Sequence, residues 1–183
     1  MKIACLAWGS LLWKTGPLRL ASSWKEDGPR LPIEFARVGD KGELSTVVWE
    51  GCAPQKTWWA LVDTHDLATA REMLRQREEI DAERPEWLGS LPSEMIYPCA
   101  DIIDRWLREQ KLDAVVWTAL PARHLGEEGR PPTVDEAVLY LDHLQGEVRT
   151  HAENYVRQIP ASLATHHRKA IETRLGWTPY RVW

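Results

Sequence analysis

Three cysteines, three methionines and a single phenylalanine are spread over a chain of 183 residues. Cys5, Cys52 and Cys99 are odd in number and far apart, and no C-x-x-C pair occurs. This excludes a disulfide framework and a zinc knuckle. The cysteines read as free, mostly buried thiols of a reducing compartment, so a cytoplasmic location is expected. Basic blocks are also missing: the formal net charge is −4, and the densest basic stretch, His166 to Arg174, is interrupted by Glu172. A solvated helix face accounts for it, and neither nucleic acid nor an anionic membrane is expected as a partner. No apolar stretch is long enough to span a bilayer. Lys2 followed by Ile3 to Trp13 has the charged start and short apolar run of a signal peptide, but no A-x-A site follows, and Gly9 and Ser10 break the run.

The motifs of metal and nucleotide chemistry are missing as well. The six histidines include the adjacent pair His166-His167, which point about 100° apart on a helix, and no His-x-x-x-His with a third ligand occurs. There is no Walker loop and no dinucleotide fingerprint, and Ser10 lacks the G-x-S-x-G spacing of a nucleophile elbow. No metal and no cofactor are therefore expected. Nothing in the sequence specifies an oligomeric state.

What is present is an ordinary globular balance, 44% hydrophobic and 27% charged. A chain of this length suits a single domain and buries about 70% of its unfolded surface, so it needs no staple. Eleven tryptophans, scattered along the whole chain, fill the volume that phenylalanine fills elsewhere. The first third reads as strands: Lys2 to Trp8, Leu31 to Val38, Leu44 to Trp49 and Lys56 to Val62. Asp66 is a candidate N-cap for a helix over Leu67 to Ile80. Arg84 to Ser93, with two prolines and a Gly-Ser pair, reads as a loop. A helix over Ala100 to Gln110 and a buried strand over Leu112 to Leu120 follow, then a loop over Pro121 to Pro132. Helices are expected at Val134 to Leu144, Glu147 to Gln158 and about Leu163 to Leu175. The expected class is α+β, a mixed β-barrel with surrounding helices, in one domain over 1–183 whose part from about 133 to 183 is helical.

The most informative stretch is Leu6-Ala7-Trp8-Gly9-Ser10-Leu11-Leu12-Trp13. A strand runs straight into Gly-Ser and then into further apolar residues. Glycine there permits a positive φ and close approach of a ligand to the backbone, and successive N–H groups can form an anion-binding nest. A plain β-turn is the alternative reading.

A strand ending in such a turn resembles the gamma-glutamylcyclotransferases, including the ChaC type, which begin with a strand ending in Tyr-Gly-Ser-Leu or Tyr-Gly-Ser-Asn. The ChaC type often continues Ile-Trp, close to Leu12-Trp13. The resemblance runs through Trp24, Gly28 and Pro29 into Leu44 to Val48. It reappears at Leu74-Arg75-Gln76-Arg77-Glu78, where that family has Leu-x-x-Arg-Glu. It spans about residues 1–80 and implies a gamma-glutamylcyclotransferase-like fold. It also implies that Trp8, Gly9, Ser10 and Leu11 bind substrate and that Glu78 is the catalytic acid/base. The implied reaction turns a small-molecule gamma-glutamyl compound into 5-oxoproline with release of an amine or amino acid. Two positions differ: Trp8 replaces the family's tyrosine and removes its hydroxyl, and Glu79-Ile80-Asp81 stands where Gly-Gly-Tyr often follows the glutamate.

Helix geometry singles out the same residue. With Leu67 as origin and about 100° per residue, Ala70, Met73, Leu74 and Ile80 form one apolar arc. Glu78 falls about 20° from Leu67, at the edge of that arc, while Glu79 falls about 120° away on the polar side. Loss of hydration would push the Glu78 carboxyl toward the pKa of a base working near neutrality. The alternative is that Glu78 merely pairs with Arg75 or Arg71, or reaches solvent at the helix end. Arg77 lies inside the apolar arc, where its stem would cover the core near the helix C-terminus. Two further functions stay open: a non-catalytic small-molecule-binding module, and another amide-cleaving or acyl-transfer enzyme using the same pocket.

Overall fold

The computed structural model describes residues 1–180. Its elements are β1 (Ile3–Ala7), β2 (Leu31–Val38), β3 (Leu44–Val48), β4 (Pro54–Gln55), β5 (Trp58–Leu61), α1 (Leu67–Glu78) and β6 (Leu88–Leu91). They continue with α2 (Ala100–Glu109), β7 (Ala114–Thr118), β8 (Arg123–His124), β9 (Glu127–Glu128), α3 (Val134–His143), α4 (Gly146–Gln158) and α5 (His166–Leu175). Two 3-10 turns lie at Ser10–Leu12 and Pro85–Trp87. The class is α+β. The strands form two mixed sheets, and among the described residues no closed barrel exists, which corrects the expectation of a barrel.

The chain divides into two units, each assembled from two stretches: Met1–Leu31 with Lys56–Leu120, and Pro32–Gln55 with the chain from Pro121 onward. In the first unit the strand order is β5-β1-β7-β6. β1 runs antiparallel to β5 and parallel to β7, and β6 runs antiparallel to β7. Every residue of β1 is buried, as suits a central strand covered on both faces, so it reads as a continuous apolar run rather than an alternation. The reason this sheet does not close lies at β5. Its outer edge is occupied by irregular chain, with Ala21 donating to the Leu61 carbonyl (2.7 Å) and Lys25 and Trp59 exchanging backbone hydrogen bonds (2.7 and 3.0 Å). A covered edge has no donors left to pair with another strand.

β6 corrects the loop expected over Arg84 to Ser93. Gly89 and Ser90 do not turn; they pair with Trp117 and Val116 of β7. Glycine is required at 89 because a Cβ there would overlap the Trp117 indole. Packed against β6 and β7 is α1, which presents Ala70, Met73 and Leu74 as its buried face. Asp66 caps it as the sequence indicates, its Oδ2 accepting from the Thr69 N–H at 3.0 Å.

The second unit holds a sheet in the order β3-β2-β8-β9, with β4 also pairing β2, and the helices α3, α4 and α5. α3 starts with a capping box: Thr133 accepts from the Glu136 N–H and Glu136 accepts from the Thr133 N–H, both at 3.1 Å. α4 docks on β3 through Tyr155, whose hydroxyl accepts from the Thr46 N–H at 3.1 Å. α5 docks on β2 through a buried pair. Glu34 accepts from the His167 N–H (3.3 Å), while His167 Nδ1 lies 2.9 Å from the Phe35 carbonyl oxygen.

Candidate functional site

β1 delivers the chain to Trp8 and Gly9, and the next three residues wind into the 3-10 turn Ser10–Leu12. The turn is closed by the Leu12 N–H donating to the Gly9 carbonyl (3.0 Å), with Trp13 and Lys14 donating to the Ser10 carbonyl (3.2 and 2.9 Å). The N–H groups of Gly9, Ser10 and Leu11 precede the first donor of that ladder and take no part in it, as at the start of any helical turn. Gly9 has φ −145°, so the expected positive φ is not what this glycine supplies. Trp8, Leu11 and Leu12 are buried, which anchors the turn on both sides.

Glu78 is the last residue of α1. Its side chain is 17% exposed. The helix stops at once because Glu79 adopts the left-handed conformation, φ +55°, with its N–H reaching Gln76 O at 3.3 Å and the Ile80 N–H reaching Arg75 O at 3.1 Å. Glu79 thus occupies the backbone state that glycine adopts at least cost, at the position where the resemblance expects glycine. Its side chain is exposed, so the two adjacent glutamates have the different surroundings indicated by the helix geometry.

Arg77 brings the two segments together. Its Nε donates to the Lys14 carbonyl oxygen at 2.8 Å and its Nη2 donates to Ser10 Oγ at 3.0 Å. Its Nη1 lies 3.7 Å from Glu78 Oε1. Gly16, at φ +55°, lets the chain turn away under this side chain; a Cβ there would stand 3.0 Å from Arg77 Cδ. Cys5 of β1 is also close enough to feel the Glu78 charge: burial, and then that carboxylate, push its thiol far above the ordinary range. A thiol held in this way stays neutral and is a poor nucleophile.

The neighbours first considered for Glu78 are otherwise engaged. Arg75 holds Glu72 (2.6 Å) and the Ile80 carbonyl (2.9 Å), and Arg71 holds Ser90 Oγ (2.5 Å) and the Leu88 carbonyl (3.1 Å). Sequence reasoning placed Arg77 over the core and missed its contacts with the turn. The available signal was a cation inside an apolar arc, which requires partners from elsewhere in the chain. A separate cavity of about 260 Å³ opens beside the same helix, lined among others by Arg71, Glu72, Arg75, Arg84 and Leu88. Neither the turn nor Glu78 borders it.

Among the described residues no group of three or more His, Cys, Asp or Glu side chains is arranged to hold a metal ion, and no helix is long and apolar enough to cross a membrane. Comparison with protein-family models, with curated proteins and with solved structures returned no match for this chain.

Proposed function

We propose that the chain is a gamma-glutamylcyclotransferase-like enzyme, acting through Glu78 and the Gly9–Leu11 turn. One observation carries this reading: a carboxylate at the end of α1 and the N–H-presenting turn after β1, sixty-odd positions earlier, are joined through one guanidinium, at 3.7 Å on one side and 3.0 Å on the other.

The chemistry needs few parts. The turn's N–H groups grip the glutamyl end of the substrate and bend it so that its α-nitrogen faces its own side-chain carbonyl, which supplies proximity. Glu78 takes a proton from the α-ammonium. The freed amine attacks the carbonyl carbon, and a main-chain N–H steadies the oxyanion, a contribution on the order of 10²–10³ in rate. As the carbon–nitrogen bond of the old amide breaks, Glu78 returns its proton to the departing nitrogen, the ring nitrogen gives up its second proton, which the released amine takes up as its ammonium, and 5-oxoproline and the amine or amino acid leave. Ser10 is not a nucleophile in this scheme, since its hydroxyl oxygen already accepts from Arg77.

The test is incubation with a panel of gamma-glutamyl amino acids, amines and peptides, with detection of 5-oxoproline. Glu78→Gln is expected to lower the rate by about 10²–10⁴ at unchanged stability. Full activity in that variant removes Glu78 from the mechanism. Free glutamate in place of 5-oxoproline identifies a hydrolase, and binding without turnover identifies a binding module.

A further inference from the structure

We propose that Arg77 is a positioning residue that locks the substrate-gripping turn to the general base, so that turn and carboxylate act as one rigid unit. The inference rests on the cyclotransferase reading for its catalytic meaning, but its physical content can be read without turnover.

Three features of Arg77 carry it. First, its two hydrogen bonds bracket the turn: Ser10 opens the turn and Lys14 follows it, and one planar guanidinium meets both. A rigid fork with fixed donor directions can hold two acceptors and a carboxylate at once. A lysine ammonium on a flexible stem behaves as a point charge and cannot reproduce that geometry. Second, the guanidinium side chain is only 14% exposed and the Glu78 side chain 17%, so water screens their attraction less than it would a surface pair. Third, the strands on which α1 packs, β6 and β7, are uncharged. β6 reads Leu-Gly-Ser-Leu and β7 reads Ala-Val-Val-Trp-Thr, neither with an acidic or basic side chain. In β1 the ionisable side chain is Cys5, whose thiol is held neutral. On α1 itself Arg71 and Arg75 are turned to the partners described above, and Glu79, just past its end, is exposed. Lys14 is exposed and contributes its carbonyl, not its ammonium, to Arg77.

The consequence is a division of labour. A half-shielded carboxylate tends to take up a proton and lose its use as a base; a cation 3.7 Å away opposes this. The same cation fixes the distance between the base and the N–H groups that hold the substrate, and small misplacements of that kind are costly in rate.

The experiment compares wild type, Arg77→Lys, Arg77→Gln and Ser10→Ala, each checked for folding by circular dichroism. Glu78 is followed by carbon-detected titration of its side-chain carboxyl, assigned with Glu78→Gln, and the turn by amide hydrogen exchange at Leu12, Trp13 and Lys14. Arg77→Gln is expected to move the carboxyl titration midpoint up by about one pH unit and to speed exchange in the turn about tenfold. Arg77→Lys should keep the midpoint within a few tenths of a pH unit yet loosen the turn, and Ser10→Ala should loosen the turn alone. An Arg77→Gln protein with wild-type midpoint and wild-type exchange overturns the proposal, whatever the activity. In the activity arm, Arg77→Lys should raise KM more than it lowers kcat, while Arg77→Gln lowers kcat/KM about tenfold or more and displaces its acid limb upward. A wild type that makes no 5-oxoproline refutes the cyclotransferase reading, while the titration and exchange results still decide the coupling.

Discussion

Two arginines, one in each unit, show what the same side chain does in different surroundings. Arg77 donates to a turn, pairs at 3.7 Å with a neighbouring carboxylate and keeps part of its surface in water. Arg168, on α5, is 1% exposed and donates to four main-chain carbonyls: Val156 (3.0 Å), Ile159 (2.7 Å), Pro160 (2.7 Å) and Leu163 (3.4 Å). Those carbonyls belong to the last turns of α4 and the connection to α5, where helix ends leave acceptors without internal partners. Burial pulls the Arg168 guanidinium below its ordinary range, and Glu172, 3.3 Å from its Nε, opposes that. Arg168 is thus a brace for chain that cannot reach water, whereas Arg77 is a brace for a turn that keeps part of its surface in water.

The sharpest way to break this comparison is to truncate both residues. Arg168→Ala strips four buried carbonyls of their donor and leaves Glu172 without its partner. A loss of about 3 kcal/mol or more is expected, seen as a lower midpoint in urea unfolding. Arg77→Ala should cost about 1 kcal/mol in the same measurement, since the turn's acceptors can turn to water, while costing far more than that in turnover. Equal destabilisation by the two truncations would mean that Arg77 is only a structural strut. A smaller effect of the opposite sign is expected at the helix end beside the candidate base. Glu79→Gly removes the left-handed strain and should raise stability by about 0.5–1 kcal/mol in thermal unfolding, with activity unchanged. A large activity change there would show that the Glu79 side chain matters to the site.

The smallest expected effect concerns acid. Arg75 and Gln76, donating to Glu72, hold its carboxyl down at about 2, below the ordinary carboxylate range. A depressed folded value means that the stabilisation is complete above the unfolded value, near 4.5, and is lost as pH falls through about 2. Melting temperatures of wild type and Glu72→Gln should therefore differ slightly at pH 6 and converge toward pH 2. Because this pair is solvent-exposed, the difference should also shrink with added salt.

Much of the architecture was legible because it depends on local periodicity. The strand at Ile3–Ala7, the helix over Leu67–Glu78 with its Asp66 cap, and the three C-terminal helices lie within a few residues of where the pattern puts them. Where the reading went astray, long-range contacts outweighed local chemistry. Gly89-Ser90 has the composition of a turn, yet it is a strand because Trp117 of a strand nearly thirty residues later lies across it. The barrel was expected from closely spaced short strands. Spacing says nothing about what covers the edge of the last strand, and here irregular chain around Ala21 and Lys25 takes β5's hydrogen bonds.

The candidate site divides along the same line. Sequence periodicity alone separated Glu78 from Glu79, because two neighbours on a helix must point about 100° apart and only one can lie near an apolar arc. It also located the Gly-Ser break after β1. What no periodicity carries is that the break and the helix end meet, that Arg77 rather than Arg75 or Arg71 stands beside Glu78, and that Cys5 is close enough to feel its charge. The first and the last of these are contacts across sixty or more residues, decided when β1 took its place in the sheet next to β7, the strand on which α1 packs. The local sequence determined which side chains each element offers, since dihedral preferences and side-chain direction act over a few residues. The tertiary structure alone decided which of them meet, since packing selects among pairings that the chain by itself leaves equivalent.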